Sequence, residues 1–148
     1  MHIWKQQASA CRALLLVCLL WLCAAVGAAL AAQPGQSILP LLQERFGLSE
    51  QQVRDALGAL LVFTQERLPK PDFDQLARTV PNSELVMQEV KLRGIVTKPI
   101  DDLSEYESVL GNSGISPTYA AEFAPAVLEA LHATGHDRER DILARALN

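Results

Sequence analysis

Residues 47–81 read GLSEQQVRDALGALLVFTQERLPKPDFDQLARTVP, and this stretch decides the fold class. Ser49 stands where a helix N-cap is wanted, and Glu50 follows it into the first turn, where a negative charge meets the positive end of the helix dipole. Val53, Leu57, Leu60, Leu61, Thr64 and Leu68 then recur at steps of four, three, one, three and four. Such steps draw one face of an α-helix over about 50–68. Pro69 and Pro71 are expected to stop it. A shorter helix is expected from Asp72 to Val80, with Phe73, Leu76, Ala77 and Val80 inward and Pro81 closing it.

The same pattern returns 67 residues later. Shifted by that offset, Gly47, Ser49, Ala59, Leu61, Asp74, Leu76, Ala77 and Arg78 meet identical residues, and Leu48, Val53, Asp55 and Leu60 meet similar ones. We read two copies of one unit, 37–81 and 104–148: helix, glycine, capping serine, long helix, short helix. A unit of two or three helices cannot cover its own apolar face, so two units packed together would. The offset sets Gly58 on Pro125, both poor residues inside a helix. A bend or break is expected at each, where the helices cross closely.

Outward from these units the chain stays helical. Ile38–Phe46 has Leu39, Leu42 and Phe46 at helical spacing, with Pro40 in the first turn and Gly47 in the C-cap role. A weaker helix is expected over Ser83–Leu92, and an extended or loop segment over Gly94–Pro99. Asp101 and Asp102 start a further helix carrying Leu103, Tyr106 and Leu110. Ser116 and Pro117 open one over about 117–133, and after Gly135 a last helix begins near Asp137. No pair of strands with a hairpin turn is evident. The expectation is an all-α fold, a compact multi-helical bundle of about six or seven short helices around one core.

The first 32 residues differ from the rest. Lys5 and Arg12 precede an uncharged apolar run from Ala13 to Val26, small residues follow up to a Gln-Pro-Gly break, and no acidic residue occurs before Glu44. These are the three parts of a secretory signal peptide, with cleavage expected after Ala31 or Ala32. The N-terminal signal helix would thus be 1–32 and the single helical domain 33–148. The alternative is an uncleaved membrane anchor, since Ala13 to Ala32 is 20 residues, about the length that spans a bilayer. Either way the positive residues stay inside, so the domain is expected outside the cytosol, periplasmic or secreted. A lipoprotein is not expected, because Cys18 and Cys23 follow Val17 and Leu22 rather than a small residue.

Cys11, Cys18 and Cys23 all lie in the leader, so the mature chain has no thiol or disulfide chemistry and depends on its core alone. Of the 148 residues, 13 are basic and 17 acidic; the leader holds two of the basic ones, which leaves 11 − 17 = −6 for the mature chain with histidine neutral. A domain of that charge is not expected to bind nucleic acid or anionic lipid through net charge.

Three side chains invite a site reading. Glu129, His132 and His136 are spaced E-x-x-H-x-x-x-H, and on one continuous helix they would share a face and hold a metal. Gly135 is expected to end the helix before His136, and a second E-x-x-H is lacking. Asp74–Arg78 and Asp141–Arg145 read as i,i+4 pairs that stiffen helices and mark a symmetric contact between the units. Asn112-Ser113 lies in GNSG, a turn rather than a nucleophile elbow. Asp101, Asp102, Glu105 and Glu107 cluster around Tyr106, as carboxylates do at helix N-termini. No catalytic, cofactor-binding or metal residue is assigned.

The segments LLQERFGLSEQQVRDALGALLVFTQERL (41–68), DFDQLARTVPN (72–82), GISPTYAAEFAPAVLEAL (114–131) and ILARAL (142–147) together resemble the VcgC/VcgE-like family of bacterial proteins. The patterns G-L-S-x-x-Q, D-F-x-x-L-A-x-x-V-P and G-[LI]-S-P carry the resemblance over about 36–148. It implies a small, exported all-helical domain of unknown function, and it carries over no catalytic residue.

The reading is therefore an exported, non-enzymatic domain without cofactor. It would bind a partner, another envelope protein, at an apolar groove between the two units, with no nucleic acid and with membrane contact only through an uncleaved leader. Oligomeric state stays open. A metal-binding or hydrolytic protein using Glu129, His132 and His136, and a membrane-tethered structural protein, are the alternatives. Both tryptophans, Trp4 and Trp21, sit in the leader. The mature protein is expected to begin at Ala32 or Gln33 by mass spectrometry and to lack tryptophan emission; an intact leader sinks the cleavage reading.

Overall fold

The computed structural model describes residues 37–148, which form an all-helical bundle. Seven α-helices follow one another among the described residues: α1 (Ile38–Phe46), α2 (Glu50–Gln65), α3 (Lys70–Ala77), α4 (Ser83–Leu92), α5 (Leu103–Leu110), α6 (Pro117–Ala133) and α7 (Asp137–Leu147). The signal peptide reading of 1–32 lies outside the described residues.

α2 is the axis of the bundle. Every residue from Asp55 to Thr64 on it is buried, because α1, α3, α4, α5 and α7 all pack on it. A helix apolar on all sides can satisfy itself only by such enclosure. Its N-terminus is fixed by a capping box, in which the Ser49 side chain accepts from the Gln52 backbone N–H and the Gln52 side chain accepts from that of Ser49. Such caps contribute about 1 kcal/mol each. The phenol of Tyr106, wholly buried on α5, donates to the carbonyl of Ala56 at 3.2 Å. Its burial holds the phenol pKa well above the ordinary value, so it remains a donor into alkaline solution.

The long helix ends earlier than its apolar spacing implies. The backbone N–H groups of Arg67 and Leu68 both turn back to the carbonyl of Thr64, and Leu68 caps the core from a turn rather than from the helix. Pro69 is the N-cap of α3, and Pro71 lies inside its first turn, where a missing N–H is harmless. The break expected at Gly58 and Pro125 is absent, since α2 and α6 run unbroken through both. Pro125 is exposed, so the carbonyl one turn back that lacks its usual donor faces water. Gly58 has a different reason. A Cβ there would lie 2.9 Å from Cγ1 of both Val86 and Val90 and 3.0 Å from the Val86 carbonyl oxygen. The glycine is there to let α4 lie against α2.

The offset of 67 also orders the helices. Adding it to the first residues of α2 and α3 (50 and 70) gives 117 and 137, where α6 and α7 begin. Gly47 and Gly114 are both left-handed, at φ 63° and 75°, and Ser49 and Ser116 both cap the helix that follows. α1 and α5 each pack against both long helices, α2 and α6. The two short helices, α3 and α7, pack together.

The i,i+4 pairs expected inside those short helices do not form. Asp74 pairs with Lys70 at 2.7 Å, Asp141 with Arg140 at 2.7 Å, and Arg145 reaches across to Asp72 at 2.9 Å. Gln75 donates to Glu139 at 2.7 Å beside it. The polar contacts of α3 and α7 thus run across the two helices rather than within either. Exposed pairs of this kind contribute about 0–1 kcal/mol, so the buried apolar side chains carry the junction.

Gly58→Ala is expected to destabilise the protein. Overpacking against two buried valines costs roughly 1–3 kcal/mol, and only about 1 kcal/mol returns from the better helix propensity of alanine. Chemical denaturation measures it; an unchanged or raised midpoint would show that α4 does not need this close approach.

Candidate functional site

The polar chemistry of the bundle concentrates where α4 meets α2. Asp55 is 3% exposed in its side chain, accepts from Arg93 at 2.6 Å, and also accepts from the Gln51 amide at 2.9 Å. One turn to the side, Arg54 Nη2 meets Glu89 at 3.3 Å. Two oppositely directed ion pairs therefore clamp α4 onto α2 on one flank, while Val86 and Val90 close over Gly58.

Beside this clamp opens a cleft of about 310 Å³. Its walls are the start of α1 (Ser37, Leu39, Pro40, Gln43), the N-terminal part of α2 (Glu50, Arg54) and the turn from α3 into α4 (Val80, Pro81, Asn82), with Val86 below. Asn82 holds the turn in the left-handed region at φ 55°, a conformation asparagine tolerates better than most residues. The lining sets apolar side chains around one cation, Arg54, and one anion, Glu50. The Nε of Arg54 is buried there and has no hydrogen-bond partner. A buried guanidinium N–H without an acceptor is costly, and a native structure rarely leaves one unexplained. The Arg54 charge is balanced by Glu89 at 3.3 Å, and the carboxylate residue Glu50 lines the same cleft.

The residues singled out from the sequence lie elsewhere. Glu129 stands exposed on α6 and forms an ion pair with Arg45 of α1. The helix ends at Ala133, the chain turns through Gly135 at φ 79°, and His136 becomes the N-cap of α7. His132 Nδ1 meets Asp137 at 2.5 Å, and His136 Nδ1 lies 3.7 Å from Glu139. Glu129, His132 and His136 thus take three separate partners, and no cluster of three possible metal ligands occurs among the described residues. The glycine that ends the helix defeats the sequence spacing.

The acidic cluster around Tyr106 is a helix start. Asp102 caps α5 by accepting from the Glu105 N–H at 2.7 Å, and Glu105 accepts from the Asp101 N–H at 2.8 Å. That backbone bond, with the ammonium of Lys98 second, holds the Glu105 carboxyl below the ordinary glutamate range, and Glu105 raises Lys98 in turn. The bond to His132, with Arg140 near, does the same to Asp137. GNSG forms a 3-10 turn over Gly111–Ser113 ended by left-handed Gly114.

The expected groove between the halves is modest. A hollow of about 190 Å³ lies between α1 and α6, lined by Leu41, Leu42, Ala126 and Ala130 and flanked by Arg45 and Glu129. Deeper in, Leu57, Leu61, Val127 and Leu143 meet with about 10 Å³ to spare. The Arg54 cleft was missed in the sequence because an arginine on the flank of an amphipathic helix reads as a solvated charge. The available signal was the adjacent pair Arg54-Asp55, which sets charges of opposite sign beside the apolar stripe.

A family model described as "Protein of unknown function VcgC/VcgE (DUF2780)" matches residues 24–148. The chain belongs to the VcgC/VcgE family. No curated protein and no solved structure matches it. Membership spans every described helix of this VcgC/VcgE protein, so the capping motifs that carried the resemblance, around Ser49, Ser116 and the α3 segment 72–81, are fold determinants in place.

Acid is expected to weaken the domain in a defined direction. Glu105 and Asp137 are depressed in the folded state, so the unfolded chain binds the proton first as pH falls. Their contribution is complete above the ordinary carboxylate range and disappears as pH drops through the depressed values. Denaturation midpoints between pH 7 and 3 should fall for the wild type and fall less for Glu105→Gln, which starts lower. Parallel pH profiles would contradict this role for Glu105.

Proposed function

We propose that this VcgC/VcgE protein is an exported, non-enzymatic binding domain, and that the Arg54 cleft receives an apolar peptide segment of another envelope protein. The single observation behind this reading is the buried, unpartnered Nε of Arg54 in a mainly apolar cleft. Apolar walls with few, well-placed polar groups are the usual make-up of a recognition site. Charge balance by Glu89 favours a neutral acceptor over an anion, and the backbone carbonyl of a peptide is the neutral acceptor every partner carries. The export half of the reading rests on the leader pattern of residues 1–32. Among the described residues no helix is long and apolar enough to cross a membrane. Among the described residues the groups with perturbed ionisation, Lys98, Glu105, Tyr106, Asp137 and Arg140, all have structural partners or burial described above, which supports a binding role over a hydrolytic one.

A photo-crosslinking residue in place of exposed Pro40, at the cleft rim, is expected to trap one protein in intact cells, and the same residue at Gln65, away from the cleft, is expected to trap none. Arg54→Met keeps the aliphatic stem and removes the donor. Loss of a hydrogen bond to a charged group costs about 1.5–3 kcal/mol, at least roughly tenfold in affinity. Equal adducts at both positions, or adducts unchanged by Arg54→Met, refute the assignment.

A further inference from the structure

α4 has a second face that its packing on α2 leaves open. Val86, Met87 and Val90 are buried and define its inner side. At 100° per residue the opposite side is occupied by Leu85 and Leu92, which are 49% and 86% exposed. A lone exposed leucine is commonplace. Two of them seven residues apart on one line, about 10 Å from end to end along the axis, form a ridge on a helix whose own core contacts are already satisfied.

The charges beside the ridge are arranged in opposite sign at its two ends. On one flank Glu89 and Arg93 are engaged with Arg54 and Asp55 of α2. On the other flank stand Glu84 and Lys91, also seven residues apart and both exposed. Neither takes part in an ion pair among the described residues. A partner that fits this face needs an apolar ridge of the same length, with a cation facing Glu84 and an anion facing Lys91. α4 itself, turned end for end, has this pattern.

We propose that α4 is the interface of a two-fold self-association, with the ridges of two copies packed antiparallel. A two-fold axis near Gln88 and Glu89 sets Leu85 of each copy opposite Leu92 of the other and, on the same flank, Glu84 of each beside Lys91 of the other. One patch then serves both sides, as an isologous contact requires. In a parallel two-fold pair the Glu84 and Lys91 flank of each copy would face the other's Glu89 and Arg93, which Arg54 and Asp55 already engage, so Glu84 and Lys91 find free partners of opposite sign in the antiparallel arrangement. A single helix ridge buries less than the interfaces of permanent complexes; the association is accordingly weak, and concentration-dependent.

Sedimentation velocity over a wide concentration range tests this on the protein purified from the cell envelope. The wild type is expected to pass from monomer to dimer, and Leu92→Glu to stay monomeric. Glu84→Lys and Lys91→Glu each turn two attractions into repulsions and should weaken the dimer roughly tenfold. The double variant should recover it, and an equimolar mixture of the two single variants should form a heterodimer. All these positions are exposed, and circular dichroism checks that each variant folds. A wild type that stays monomeric throughout overturns the proposal, whether residues 1–36 or an unrelated protein cover the ridge instead. A dimer indifferent to Leu92→Glu, or a double variant as weak as the singles, overturns it equally.

Discussion

The approach of α4 to α2 at Gly58 is the constraint on which the rest of the structure depends. With no Cβ at that point, Val86 and Val90 close directly over the α2 backbone, and α2 becomes enclosed on the side that would otherwise face water. That enclosure is what makes an all-round apolar helix acceptable in a bundle of short helices. The Asp55–Arg93 and Arg54–Glu89 pairs then fix the position of α4 along α2. The valines supply the larger share of the attraction, and the ions supply the register: a buried carboxylate such as Asp55 is unfavourable unless Arg93 arrives at the right place.

The same constraint creates both candidate interaction surfaces. Because α4 sits so close to α2, its entry turn at Pro81-Asn82 is lifted beside the start of α1, and the Arg54 cleft is the space left between them. Because its inner face is used up by Val86, Met87 and Val90, Leu85 and Leu92 have nowhere to go but outward. α4 also stands in sequence between the segments 37–81 and 104–148, whose helices pack on one another, α1 on α6 and α5 on α2; α4 is the element with surface to spare.

Much of the fold was legible in residues 47–81 and their echo at 114–148. Ser49, Ser116, Gly47 and Gly114 act locally: a cap or a left-handed glycine needs only its own neighbours, so its signal survives in the bare sequence. Apolar spacing likewise placed every helix to within a few residues. Errors arose where a distant partner decided the outcome. Pro125 is tolerated because that side of α6 faces water, a fact that does not reside in the flanking residues; the close crossing expected at Gly58 is there, but without a break in the helix. Arg145 chose Asp72 on α3 over its own Asp141 because the two short helices lie side by side.

The sequence by itself determined the helical class and the positions of the helices, since each depends on local periodicity, capping or composition; the kinship with the VcgC/VcgE family rests on the match over residues 24–148. Only the tertiary structure decided what the side chains do for one another. It paired Arg145 with Asp72 across two helices, left the Nε of Arg54 buried without an acceptor, and exposed Leu85 and Leu92 on a helix whose other apolar residues are covered. Those outcomes follow from which helix faces cross in space, and a crossing depends on the packing of residues tens of positions apart, which periodicity along the chain does not encode.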